Sequence, residues 1–132
     1  HVPRIREHLA AGQIVVCDRY SDATRAYQGV ARGFDIATIN TLEDIATGGL
    51  RPDLTLLLDL PAEAGQARKV KASADGGAWD RIDAESLAFH QRVRAGYLEL
   101  AAAEPERILI VDAAQPSDRL GDIIWETVVA RL

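Results

Sequence analysis

Leu54-Thr55-Leu56-Leu57-Leu58-Asp59 is a short apolar run that ends in a carboxylate. Polar and apolar residues do not alternate within it, which is typical of a strand covered on both faces in a parallel sheet. Two further runs have the same character, Ile14-Val15-Val16-Cys17 and Ile108-Leu109-Ile110-Val111. The sequence therefore predicts three buried strands.

The residues between these runs carry helical patterns. Asp35 is placed to cap a helix that extends to about Thr47 and stops at Gly48-Gly49. Asp83 is predicted to begin the longest helix. Helices that alternate with buried strands indicate an α/β protein, with a three-layer parallel sheet and helices on both of its faces. No internal repeat or linker divides the chain, so residues 1–132 are predicted to lie within a single domain.

The charge balance excludes several classes of function. The chain has 132 residues with 15 Lys+Arg and 20 Asp+Glu, which gives a formal net charge of −5. This balance argues against a protein that coats nucleic acid or binds membrane surfaces, since both usually carry a basic excess. No apolar run approaches the roughly 20 residues of a membrane span. The single cysteine cannot build an internal disulfide. Composition therefore favours a soluble protein of the cytoplasm.

The chain contains no methionine and opens with His1. Excision of an initiator methionine alone would be the simplest explanation, but it favours a small second residue and histidine is bulky. We therefore expect these residues to be the C-terminal part of a longer protein.

Each predicted strand is followed or ended by an aspartate, namely Asp18, Asp59 and Asp112. In open parallel sheets ligands bind beyond the carboxyl ends of the strands. A carboxylate there can hold Mg²⁺, directly or through water, when the ligand carries a phosphate. An aspartate in this position also caps the turn that follows a strand. The structural interpretation is preferred for Asp59 and Asp112, whereas Asp18 is set apart by the residues that follow it.

Asp18 begins a segment, Asp18–Gly29, that is dense in binding chemistry. The guanidinium of Arg19 can hold a phosphate through two parallel hydrogen bonds. Thr24 and Gln28 lie four residues apart and would share one face of a helix, where they can read the polar edge of a small heterocycle. Tyr27 can pack against a sugar or a base, or in the core. The combination predicts a binding site at the end of the first strand.

A second charged cluster surrounds a loop that contains Gly76 and Gly77. Cations beside a flexible loop in an acidic chain indicate a lid, around residues 68–82, that closes over phosphates and excludes water. A solvated helix end is the alternative, because Lys and Arg there offset the helix dipole. The charged residues are Arg68, Lys69 and Lys71 before the loop and Asp80-Arg81-Ile82-Asp83 after it.

Six motifs follow one another along the chain: Asp18-Arg19-Tyr20, Ala26-Tyr27-Gln28-Gly29, Arg51-Pro52-Asp53-Leu54-Thr55, Asp80-Arg81-Ile82-Asp83, the helix 94–101, and Ile110-Val111-Asp112-Ala113. In this order they resemble the bacterial type of thymidylate kinase, and the likeness runs from His1 to Leu132. The resemblance implies a fold like that of the P-loop nucleoside monophosphate kinases. It also implies phosphoryl transfer from ATP to dTMP with Mg²⁺, by a cytoplasmic homodimer.

The resemblance further implies the residues that bind dTMP. Arg19 would hold the dTMP phosphate and act in catalysis. Thr24 and Gln28 would read the thymine edge. Tyr27 would pack beside the deoxyribose, where it disfavours a 2′-hydroxyl.

On the ATP side, the resemblance makes Arg81 the first catalytic residue of the lid and Arg68 the second, since charge on the transferring phosphate must be stabilised. Arg81, Asp112 and Ala113 would contact ATP, the last two mainly through backbone groups near the adenine. Asp18 would lie near Mg²⁺, directly or through water. Asp83, which stands where the family usually has glutamate, would be a secondary metal ligand.

The family's phosphate-binding loop, G-x-x-x-x-G-K-[ST], does not occur in these 132 residues. In the family's sheet, the strand that carries this loop lies between those matching 14–17 and 54–58, so its loss would leave unpaired backbone groups. We therefore expect the parent protein to be the kinase and these residues alone to be inactive. The alternatives are a kinase for another pyrimidine nucleotide or a deoxynucleoside, and a catalytically inactive fragment that only binds nucleotide.

Overall fold

The computed structural model describes residues 1–74 and 85–131, without the side chains of residue 69 and of residues 71–74. In chain order the elements are α1 (Val2–Ala10), α2 (Ser21–Thr24), a π-helix (Arg25–Ala31), α3 (Ile36–Thr47), β1 (Thr55–Asp59), α4 (Ala62–Ala74), α5 (Leu87–Ala103), β2 (Ile108–Asp112) and α6 (Ser117–Val129). None of the helices in these ranges is long and apolar enough to cross a membrane.

The two strands lie side by side in parallel, with Leu57 opposite Ile110 and Asp59 opposite Asp112. A parallel pair needs a long crossover, and here α4 and α5 lie between the strands along the chain. The hydrogen bonds extend past the strand ends, since the Ala113 N–H donates to the Asp59 carbonyl at 2.8 Å. The parallel pairing and the helical crossover agree with the predicted α/β class, and they bring Asp59 and Asp112 to one edge.

The third predicted strand, 14–17, is not formed. This segment pairs with neither β1 nor β2, and the described sheet has two strands. Ile14 is 65% exposed and Val16 is 92% exposed. A strand persists where a neighbour satisfies its N–H and C=O groups, and the described residues supply no such neighbour. The predicted three-layer sheet with helices on both faces is therefore not confirmed.

Two predicted helices illustrate how capping sets helix ends. At the start of α3, the Asp35 carboxylate accepts a hydrogen bond from the Thr38 N–H at 2.8 Å, as predicted. α5 begins at Leu87, so the predicted start at Asp83 is wrong. The cap is Ser86, whose Oγ accepts from the Phe89 N–H at 3.2 Å and satisfies one of the free donors of the first turn.

The core lies between the π-helix and α5. Ala26, Ala31, Phe89 and Val93 are buried in one cluster, with Tyr27, Tyr97 and Leu100 packed against it. The two helices approach closely because Gly96 of α5 faces Val30 of the π-helix. A Cβ on Gly96 would lie 2.8 Å from the Val30 Cβ, so the absence of a side chain sets the distance between these helices.

We expect Gly96→Ala to lower the free energy of unfolding by about 1–3 kcal/mol, because the added methyl group would overlap Val30 and overpack the core. The matched control is Gly121→Ala in α6, where nothing lies within 4 Å of the new methyl group. Alanine is the better helix former and should stabilise α6 by about 0.5–1 kcal/mol. Urea denaturation measures both, and equal stability of the two variants would contradict the close packing.

Candidate active site

Arg19 occupies a bend between residues 13–17, which form neither a helix nor a strand, and α2. Its φ is 63°, and among the described residues it is the one non-glycine residue with a positive φ. This conformation costs a residue with a Cβ roughly 1 kcal/mol or more. The guanidinium carbon of Arg19 lies 5.5 Å from the centre of the Tyr27 ring, within cation–π distance. The bend and the ring together orient an exposed guanidinium.

Tyr27 lines a cavity of about 320 Å³ at the carboxyl end of β1. Tyr97 and His90 of α5 line it as well. The centre of the Tyr27 ring lies 6.3 Å from that of Tyr97 and 6.1 Å from that of Phe89, in tilted and edge-to-face geometries that aromatic pairs favour. Burial raises the pKa of Tyr97 to about 12, so this phenol stays protonated even in moderately alkaline solution.

An ion pair occupies the end of β1. Arg94 of α5, which also lines the cavity, donates from Nε to Asp59 Oδ1 at 2.7 Å and from Nη2 to Oδ2 at 2.8 Å. The hydrogen bonds from Arg94 hold the pKa of Asp59 below its usual value. This geometry agrees with the structural role that the sequence favours for Asp59. The partner of Asp59 is the Arg94 side chain, whereas the sequence predicted the backbone of the following turn.

Three residues predicted to act on the ATP side, Arg68, Asp112 and Ala113, lie close together at the turn after β2. Asp112 Oδ1 accepts from the Ala114 N–H at 2.9 Å, which closes the turn as the structural interpretation predicted. The carbonyl of Ala113 accepts from Arg68 Nη2 at 3.1 Å. Arg68 therefore ties α4, where the predicted lid begins, to the segment that follows β2.

The remaining predicted binding residues are only partly brought together. Asp18 is exposed beside Arg19, Thr24 is exposed at the end of α2, and Gln28 is half-buried in the π-helix. Thr24 is the last residue of α2 and Gln28 lies in the π-helix that follows it without a break. They are about one turn apart in this helix, and the face that they are predicted to share stays a prediction.

Arg81 and Asp83, predicted as a lid arginine and a secondary metal ligand, lie outside the described residues, as does most of the predicted lid. In the described part of the chain, no group of three or more His, Cys, Asp or Glu side chains is placed to hold a metal ion. Mg²⁺ bound with a nucleotide commonly uses one or two protein carboxylates together with phosphate oxygens. The exposed carboxylate of Asp18 fits that limited role.

Sequence reasoning missed a set of five charged side chains, Asp22, Arg25, Glu43, Glu104 and Arg107, here called the ionic network. Arg107 donates to Asp22 through Nη1 and Nη2, each at 2.8 Å. Arg25 donates through Nε to Glu43 at 2.8 Å. Asp22, Arg25 and Glu43 are only 5%, 7% and 8% exposed. Asp22 and Arg107 are 85 positions apart, so no local pattern signals their contact.

Two opposing effects act on the buried carboxylate of Asp22. Burial works to raise its pKa, but the hydrogen bonds and charge of Arg107, together with Thr55 and Arg25, outweigh burial and lower the pKa below its usual value. Burial dominates at Glu43, whose pKa is raised despite the hydrogen bond from Arg25. Of the two carboxylates, Asp22 is therefore the one that the network favours in its charged form.

Because the pKa of Asp22 is lower in the folded state, its contribution to stability is fully present above the unfolded value of about 3.9. That contribution is lost as the pH falls through the folded pKa. We expect Asp22→Asn to lower the free energy of unfolding at pH 7 and to flatten its decline as the pH falls below about 4. Urea denaturation across this range measures the slope.

The matched control for this prediction is Asp122→Asn, which neutralises an exposed carboxylate of α6. The control should keep the slope of the unmutated protein. A slope in Asp22→Asn as steep as in the control would show that Asp22 does not carry the acid sensitivity.

Two parallel strands joined by helices place this chain among the α/β proteins, a class whose open sheets bind ligands beyond the carboxyl ends of the strands. A family model described as thymidylate kinase matches residues 1–124. The chain belongs to the thymidylate kinase family, as its motifs predicted, and membership implies the P-loop nucleoside monophosphate kinase fold.

Three relatives support the assignment. The thymidylate kinase of Solidesulfovibrio magneticus is 50% identical over 127 residues, which cover 94% of this chain and 61% of the relative. That of Trichlorobacter lovleyi is 52% identical over 126 residues, covering 94% and 59%. That of Desulfovibrio desulfuricans is 53% identical over 117 residues, covering 86% and 54%. The chain thus spans somewhat more than half of the length of these curated relatives.

Proposed function

We propose that this chain supplies the dTMP-binding side of a kinase that transfers the terminal phosphoryl group of ATP to dTMP, giving dTDP and ADP. The observation that carries the proposal is the Arg19 guanidinium, held 5.5 Å from the centre of the Tyr27 ring, because the same ring lines a cavity together with Tyr97 and aliphatic side chains. A cation next to such a wall suits a ligand that combines a phosphate with a flat ring. The relatives' name, thymidylate kinase, supports dTMP as that ligand.

In this proposal each residue of the Arg19 segment has one role. Arg19 binds the dTMP phosphate through parallel charge-assisted hydrogen bonds. Tyr27 packs beside the deoxyribose and disfavours a 2′-hydroxyl. Thr24 and Gln28 offer a hydroxyl and an amide to the thymine edge, and these groups can both donate and accept hydrogen bonds.

The proposed roles on the ATP side concern charge. Arg81 and Arg68 stabilise the negative charge that develops on the transferring phosphate, and Arg81 also contacts ATP. Asp112 and Ala113 border the adenine, and the Arg68–Ala113 hydrogen bond at 3.1 Å supports a link between α4 and that segment. Mg²⁺ neutralises phosphate charge when it is bound. Asp18, with Asp83 as the secondary ligand, would hold it directly or through water.

We assign the kinase activity to the protein that carries this chain rather than to these 132 residues alone. The chain covers 61% of the S. magneticus relative and lacks a G-x-x-x-x-G-K-[ST] loop, whose backbone cradles ATP phosphates. Residues 1–132 are proposed as part of a single kinase domain with a three-layer parallel sheet and a lid around 68–82. A cytoplasmic homodimer is proposed as well, and the exposed apolar side chains of Leu42 and Ile45 on α3 support it.

The test is a coupled ADP-release assay on the gene product expressed from its native coding sequence. dTMP, dUMP, dCMP and AMP are compared as acceptors, and we expect dTMP to react fastest. Equal rates with AMP would exclude the thymidylate assignment. Calorimetric titration of the 132-residue chain with dTMP tests the alternative of a catalytically inactive fragment. If the chain binds dTMP but the gene product is inactive, the chain is a fragment that only binds nucleotide.

We expect Arg19→Ala to weaken dTMP binding by roughly tenfold or more, since charge-assisted hydrogen bonds contribute about 1.5–3 kcal/mol. Binding of thymidine, which has no phosphate, should change little. Arg119→Ala removes an exposed guanidinium of α6 and should leave both affinities unchanged. Calorimetry with the two ligands makes the comparison, and an equal loss of dTMP and thymidine affinity in Arg19→Ala would disprove a phosphate contact.

A further inference from the structure

Arg107 and the cavity lie at opposite ends of the two strands. Arg107 immediately precedes β2 and stands beside Thr55, the first residue of β1, whereas the cavity lies at Asp59, the last residue of β1. Four residues of strand span roughly 13 Å. Arg107 is therefore at the opposite end of the sheet from the cavity proposed to bind dTMP. Any effect of Arg107 on dTMP binding must pass through the elements that it contacts.

The guanidinium of Arg107 has all five of its N–H donors satisfied by side chains. Nε and Nη2 donate to the two carboxylate oxygens of Glu104 at 2.7 Å and 3.1 Å. Nη1 and Nη2 donate to Asp22, and Nη1 also donates to Thr55 Oγ1 at 3.0 Å. A planar group with every donor committed has one orientation, which Lys, with a tetrahedral ammonium, cannot reproduce.

Asp22 transmits this orientation to the segment that carries the dTMP site. It lies in the first turn of α2, three positions after Arg19 and five before Tyr27, and Thr55 Oγ1 also donates to it at 3.1 Å. Arg25, three positions later, bonds to Glu43 and lies 3.7 Å from Glu104. Asp22 and Arg25 thus make two side-chain contacts about one helical turn apart. Together these contacts fix the rotation of the helix about its axis and its position along that axis.

We propose that Arg107 is a positioning residue of the dTMP site, which it serves by holding Asp22 and thereby fixing α2 and the π-helix against the two strands. The proposal rests on the proposed function. Arg19 and Tyr27 lie on the segment that this contact fixes, and small displacements of binding groups weaken the interactions they make with a ligand. The ionic network would then set dTMP affinity without touching dTMP.

A merely structural role makes a different kinetic prediction. If Arg107 served only stability, its loss would reduce the fraction of folded enzyme and hence the apparent kcat, while both KM values of the folded molecules stayed the same. A positioning role raises the KM for dTMP selectively and leaves the KM for ATP unchanged.

The experiment measures both KM values in the gene product expressed from its native coding sequence. We expect Arg107→Lys, which keeps the charge but not the planar group, to raise the KM for dTMP about tenfold. Thr55→Val removes only the hydroxyl and should raise it roughly threefold. The control is Glu85→Gln, which breaks the exposed Arg32–Glu85 pair at 3.0 Å near the C-terminal end of the π-helix and should change neither KM.

The outcomes distinguish the two proposals. If the unmutated protein does not phosphorylate dTMP, the proposed function fails and the positioning role fails with it. If that protein is active but Arg107→Lys and Thr55→Val retain its KM for dTMP, only the positioning role is overturned. If Arg107→Lys does not fold, Thr55→Val decides, since a selective rise in the KM for dTMP supports positioning and an unchanged KM refutes it.

Discussion

The five hydrogen bonds that Arg107 donates connect the two strands to the segment that begins with α2. The partners of Arg107 lie in three places: at the start of α2, at the start of β1 and just beyond α5. Burying a charged side chain costs free energy because the charge leaves water. If one partner of a buried ion pair is then removed, the charge of the other is left uncompensated. Arg107 and Asp22 therefore stabilise this fold through each other, and the packing of α2 and the π-helix on α5 is arranged around them.

Arginines also organise the opposite end of the sheet. Arg94 holds Asp59 at the end of β1 through two hydrogen bonds, and Arg68 holds the turn after β2 through the Ala113 carbonyl. Arg19 differs from both because its guanidinium contacts the Tyr27 ring rather than a carboxylate or a carbonyl oxygen. A guanidinium held by a cation–π contact can still donate its N–H groups to an anion. This difference is the physical basis for the proposal that Arg19 binds the phosphate.

Much of the local structure could be predicted from the sequence. β1, β2 and the Asp35 cap of α3 are specified by residues close together in the chain, through apolar runs and a side chain that bonds its own helix. The segment 14–17 has an equally apolar pattern, yet it forms no strand in the described chain. An apolar run indicates only that a segment is suited to burial. A strand also requires a neighbouring segment whose C=O and N–H groups pair with its own backbone N–H and C=O groups.

The sequence by itself determined the family, through motifs that follow one another along the whole chain, and it singled out Arg19 and Tyr27 as candidate binding residues. Only the tertiary structure decided that the Arg19 guanidinium lies within cation–π distance of the Tyr27 ring, that Arg94 neutralises Asp59, and that Arg107 reaches Asp22. Motifs depend on neighbours a few positions away, and these are fixed by the covalent chain. The partners of buried charges lie up to 85 positions apart, and they are selected by desolvation and geometry once the helices have packed.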